Sequence, residues 1–165
     1  MQFDLKKFFS GGVSPTEKHF AVDFAQRDFS GAKISAPVDA CLTAERLEGQ
    51  VQLHLQAAAQ VDGVCARCLD SVSRQETVDV EWTVRERDLQ DPDFELPLTE
   101  TGALDADEWL YQEFLFQIPT VLLCSPNCSG LCPVCGKKRQ ACTCPKAAEG
   151  TAVDARLSIL KSLLN

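Results

Sequence analysis

The chain has 165 residues, about one domain with room for a core of its own, and 45% hydrophobic with 24% charged residues is a globular composition that excludes a wholly disordered chain. A net charge of −8 argues against a protein that coats nucleic acid through phosphate contacts. No apolar run approaches the ~18 residues of a membrane span, and MQFDLKKFFSGG lacks the apolar stretch of a secretory signal, so a soluble, cytoplasmic protein with no membrane partner is expected.

In chain order, the first strand signal is His19–Phe24, where apolar and polar residues alternate, followed by a turn at Ser30-Gly31. A second strand is expected over Ile34–Leu42, with Pro37 placing it at an edge or a bulge. From Gln50 the alternation is regular: Val51, Leu53, Leu55, Ala57, Ala59 and Val61 face one way, while Gln52, His54, Gln56 and Gln60 face the other. After a bulge or turn at Asp62-Gly63 comes Cys65-Ala66-Arg67-Cys68. A second long alternation then sets Val78, Val80, Trp82 and Val84 against Asp79, Glu81, Thr83 and Arg85. The Cys-x-x-Cys pair therefore sits at the tip of an antiparallel hairpin.

Charge is unevenly spread, since residues 69–108 carry 13 acids and 3 bases. Within that part, residues 85–107 read as an acidic loop with turns at Asp91-Pro92-Asp93 and Leu96-Pro97 and no periodicity that builds a core. Asp105 or Asp107 then caps a helix with Trp109, Leu110, Phe114, Leu115 and Ile118 at helical spacing, stopped by Pro119 and laid across the sheet. At the far end, a polar linker over residues 147–151 precedes a short leucine-rich helix opened by Asp154.

Six of the nine cysteines lie between Cys124 and Cys144. In a reducing compartment such a set reads as metal ligands before disulfides. Cys65/Cys68 and Cys132/Cys135 have knuckle spacing, and Cys124/Cys128 and Cys142/Cys144 supply two further pairs, enough for two four-thiolate zinc sites. The economical partition closes Cys132, Cys135, Cys142 and Cys144 on themselves and joins Cys65 and Cys68 to Cys124 and Cys128. The rival partition joins Cys124 and Cys128 to Cys132 and Cys135 and leaves the outer pairs to share a metal; spacing leaves it open. Closed four-cysteine sites keep no position for a substrate water, so hydrolytic zinc chemistry is not expected. Cys41 reads as an ordinary buried cysteine, and His19 and His54 read as solvated. Residues 124–146 hold Lys137, Lys138, Arg139 and Lys146 and no acid. These bases either offset the negative four-thiolate sites or, with Arg67 at the hairpin tip, form a contact for RNA phosphate or an acidic partner.

With these residues in view, the chain resembles the YceD family, the large ribosomal RNA subunit accumulation proteins. The resemblance is carried by Cys65-x-Arg67-Cys68-Leu69 after an alternating strand, the acidic middle, and a helix ending in Ile118-Pro119. It continues through Cys124-x3-Cys128-x-Gly130-Leu131-Cys132-Pro133-x-Cys135-Gly136, Cys142-x-Cys144 and Asp154-x-Arg156. It implies a non-enzymatic role in accumulation or processing of 23S ribosomal RNA, with a large-subunit precursor, a ribosomal protein or an rRNA-processing factor as partner and no small-molecule substrate. A redox- or zinc-responsive interaction module and a plain RNA-binding zinc module stay open as other readings. The expected fold is α+β: an antiparallel sheet or partly open barrel with one helix packed on it, over residues 1–123. A cysteine-rich zinc module follows over 124–146, then a linker and C-terminal helix over 147–165.

Overall fold

The computed structural model describes residues 1–10, 15–91 and 93–144. The expected C-terminal helix, its linker, Lys146 and Pro92 lie outside the described residues. Two compact units divide the chain, Met1–Cys128 and Ser129–Asn165.

The first unit is an α+β structure built on an open antiparallel sheet. In chain order it contains β1 (Gln2–Phe3), α1 (Lys6–Phe9), β2 (Thr16–Val22), β3 (Lys33–Ile34), β4 (Val38–Leu47), β5 (Gln50–Val64), β6 (Ser71–Arg85), β7 (Leu104–Asp105) and α2 (Ala106–Gln117). β5 is the centre of the sheet. β6 pairs with its whole length from Gln50↔Arg85 to Val64↔Ser71, while β4 takes the near part of the other edge and β3 the far part, at Ile34↔Val61. β2 pairs with β4 and forms the outer strand.

Period two decides which face is buried. Leu42, Val51, Leu53, Leu55, Val61 and Val84 are at most 1% exposed, and α2 lays Trp109, Leu110 and Phe114 into the same core. Asp105 caps α2, its carboxylate accepting from the Asp107 and Glu108 N–H groups. Ile118 is buried as expected, but Leu115 is 39% exposed, because the core-facing stripe of α2 turns away from it.

Several expectations need correction. Ile34–Leu42 is not one strand: the chain breaks before Val38, after Pro37, which has no N–H to give a ladder, and β4 then runs on to Leu47. Asp62-Gly63 neither bulges nor turns, since the ladder passes straight through as Asp62↔Ser73 and Gly63↔Val72. The acidic loop does contribute to the core, through Leu96, while Leu104 joins it from a two-residue pairing with Phe3. The N-terminal segment adds Phe3, Leu5 and Phe8 to the same core.

Candidate metal centres

The first centre is built where the β5–β6 hairpin ends. Cys65 N–H donates to the Asp70 carbonyl at 2.7 Å and Leu69 N–H donates to the Cys65 carbonyl at 2.9 Å. The chain turns sharply enough that Leu69 takes a φ of +62°. Beside the tip, Gly63 lies where any Cβ would overlap Leu122 Cδ1, and Ala66 N–H donates to the Leu122 carbonyl at 2.9 Å. This seam delivers Cys124 and Cys128 to the tip. Arg67 holds their loop by donating from Nη1 to the Cys128 carbonyl at 3.0 Å.

The four sulfurs converge. Cys65 and Cys128 Sγ are 3.8 Å apart, Cys68 and Cys124 Sγ 3.5 Å, and all four lie within 4.8 Å of one another. Four sulfurs at a Zn–S distance of ~2.3 Å stand roughly 3.8 Å apart in a tetrahedron, whereas a disulfide needs ~2 Å. Cys65, Cys68 and Cys128 are buried, with Val72 and Leu123 packed against them. Of the two partitions open from spacing, the structure brings together the cysteines of the economical one.

In the second unit the same knuckle recurs. Cys132 N–H donates to the Lys137 carbonyl at 2.7 Å, Gly136 N–H donates to the Cys132 carbonyl at 2.9 Å, and Gly136 has a φ of +70°. Leu131 pairs with Lys138 below the turn, and Arg139 N–H donates to the Gly130 carbonyl. A short turn over Arg139–Ala141 returns the chain, leaving Cys142 Sγ 3.4 Å from Cys135 Sγ. Cys132, Cys135, Cys142 and Cys144 form the second group within 4.8 Å.

Taken by themselves, four close thiols compete for charge. The Cys124 amide is the strongest of the backbone donors that pull Cys65 down to about 6, against its burial. Amides of Cys135 and Val134 likewise bring Cys132 down to about 6. At Cys68 the Asp70 amide favours the thiolate, but burial and the sulfurs of Cys65, Cys124 and Cys128 outweigh it and push the thiol up to about 12. Cys142 and then Cys135 push Cys144 up to about 12 in the same way. Each cluster thus holds a ready thiolate beside thiols that only a cation can ionise. An all-sulfur, four-donor set of this size fits zinc in a closed structural site.

The remaining candidates are spread out. Lys137, Lys138 and Arg139 are exposed on the second knuckle. Arg67, expected as a contact for RNA or a partner, spends its guanidinium on the loop carbonyls of the first centre. Cys41 is not an ordinary buried cysteine: it stands on the open face of the sheet, its thiol 3.5 Å from Glu17 Oε1. His19 is exposed and touches the same carboxylate, and His54 meets Asp79 at 2.5 Å. Strand parity carried that signal, since Ala40 and Leu42 are core positions and Cys41 between them must face out.

A family model, that of the large ribosomal RNA subunit accumulation protein YceD, matches residues 53–164, a span that contains all eight cysteines of the two centres. No curated protein and no solved structure matches the chain.

Proposed function

The chain belongs to the YceD family, and on that premise we propose that it is a non-enzymatic, zinc-binding ribosome-biogenesis factor that supports accumulation or processing of 23S ribosomal RNA and assembly of the large subunit. The observation that carries this reading is that the family match spans two clusters whose geometry suits closed, structural zinc. Such sites hold shape and offer no open coordination position for chemistry. The protein acts in the cytoplasm on a large-subunit precursor, with a ribosomal protein or a processing factor as its partner there.

Charge supports a division of labour. Residues 129–165 carry 6 bases and 2 acids, whereas residues 1–128 carry 10 bases and 22 acids. Contact with RNA phosphate therefore falls to the second unit, where Lys137, Lys138 and Arg139 are displayed on a metal-held turn. Basic protein surfaces suit the first unit.

Depletion of the protein is expected to lower large-subunit ribosomal RNA relative to small, with rescue by the wild type and not by Cys132→Ser. An unchanged ratio removes the reading. In vitro, affinity for ribosomal RNA should fall steeply with salt and drop when Lys137, Lys138 and Arg139 are changed to glutamate. If the native protein shows no affinity even at low salt, the contact belongs to a protein partner.

A further inference from the structure

The open face of the sheet carries a third group of ligand-type side chains, away from both cysteine clusters in sequence and chemistry. β2 and β4 place His19 directly opposite Cys41, and Glu17 lies two residues from His19 on the same face. His19 Nε2 is 2.8 Å from Glu17 Oε1, and Cys41 Sγ is 3.5 Å from that same oxygen. One donor atom from each residue lies within 4.8 Å of the other two. We propose that Glu17, His19 and Cys41 form a third metal site, one that binds zinc or a similar borderline divalent ion through a carboxylate, an imidazole and a thiolate.

The donor set selects the ion. One oxygen beside one nitrogen and one sulfur is a poor cage for calcium or magnesium, which need six or more oxygens or several retained waters. It is a normal set for zinc, which accepts all three donor types at ~2.0–2.3 Å. With three protein ligands, the fourth position falls to water or to a group brought by a partner. The site therefore differs in kind from the closed four-cysteine centres.

Its surroundings favour a cation. The shallow depression beside it is lined by Asp39, Gln56 and Asp79 along with His19 and Cys41, and its neighbour by Glu17, Glu45 and Glu81; among the described residues neither lining includes a Lys or Arg. The two strands hold the ligands by a continuous ladder from Thr16↔Ala44 to Val22↔Val38, so little ordering remains for the ion to impose. Exposure and the missing fourth ligand make the site weaker than the other two.

The test uses full-length protein with its two four-cysteine centres loaded. Zinc titration by calorimetry should show one further, weaker equivalent, and zinc should slow alkylation of Cys41 as mapped by mass spectrometry. Cys41→Ser should abolish the added equivalent, and His19→Ala and Glu17→Gln should each weaken it by at least about tenfold while the two tightly held ions stay bound. In His19→Ala, zinc should also lose its protection of Cys41. The proposal is overturned if no further equivalent binds, if binding is unchanged in His19→Ala and Glu17→Gln, or if zinc leaves the alkylation of Cys41 unaltered. None of these readouts depends on ribosomal RNA, so they separate this site from the proposed function.

Discussion

Leu69 and Gly136 occupy the same place in their knuckles, four residues after the first cysteine, and both have a positive φ. A side chain in this conformation costs about 1–2 kcal/mol. At position 136 an added Cβ would meet nothing within 4 Å, so that backbone cost is all that Gly136→Ala should incur. The expected result is zinc affinity at the second centre weakened by about tenfold, measured by chelator competition, with Leu69→Gly neutral or tighter at the first. Unchanged affinity in Gly136→Ala would show that the turn, with its positive φ, does not limit binding. Protonation acts on the neighbouring atoms. At pH 7 Cys65 and Cys132, near 6, are ionised, whereas Cys68 and Cys144, near 12, hold their protons. A divalent cation must displace those protons, so zinc binding releases acid and weakens as pH falls. Below about pH 6 the two ready thiolates are protonated as well, and affinity should then fall more steeply. Calorimetry in buffers of different ionisation enthalpy measures the released protons; a value of zero at pH 7 contradicts the assignment.

At the scale of elements, the β5–β6 hairpin and the segment after α2 meet at Gly63 and Leu122. Gly63→Ala forces Leu122, 6% exposed, off its position, and with it the Ala66 hydrogen bond that aligns Cys124. A loss of about 1–3 kcal/mol of unfolding free energy is expected, read as a lowered denaturant midpoint; no change would mean that Leu122 swings aside freely. This hairpin was legible in the sequence, because two long strands with one face in the core must alternate, and knuckle spacing at its tip marks a turn. The helix of Trp109 and Phe114 was legible for the same reason at another period. Phe3 and Leu104 were not, because they meet in a two-residue pairing between distant segments, and Leu96 was not, because it is buried from an irregular stretch with no local period. At the candidate sites, spacing revealed the eight cysteines and favoured closing the last four on themselves, but it did not exclude the rival pairing. The choice between them is made by the seam at Leu122. The meeting of Glu17, His19 and Cys41 depends on the register of β2 against β4, which no spacing along the chain encodes.

For the whole molecule, the two units differ in what holds them. Among the described residues, every member of the main apolar core lies in Met1–Cys128, and in the second unit Cys132 is the sole buried hydrophobic residue. Residues 129–144, with no apolar core among the described residues, have little to fold on except their metal, and structural zinc supplies about 10–16 kcal/mol in small metal-folded domains. Native protein should therefore contain about two tightly bound zinc ions, with Cys65→Ser and Cys132→Ser each removing one and Cys41→Ser removing neither. Chelation should act unequally, as hydrogen exchange read by mass spectrometry can resolve. Peptides from 129–144 should lose protection to the level of an unfolded chain, the hairpin tip around Cys65–Cys68 should loosen in part, and β4, β5 and the body of β6 should keep theirs. Persistent protection in 129–144 after metal removal would mean that other contacts fold the second unit. Loss of protection throughout the sheet would mean that its 15-residue hairpin strands need the ion at their tip as much as they need the core beneath them.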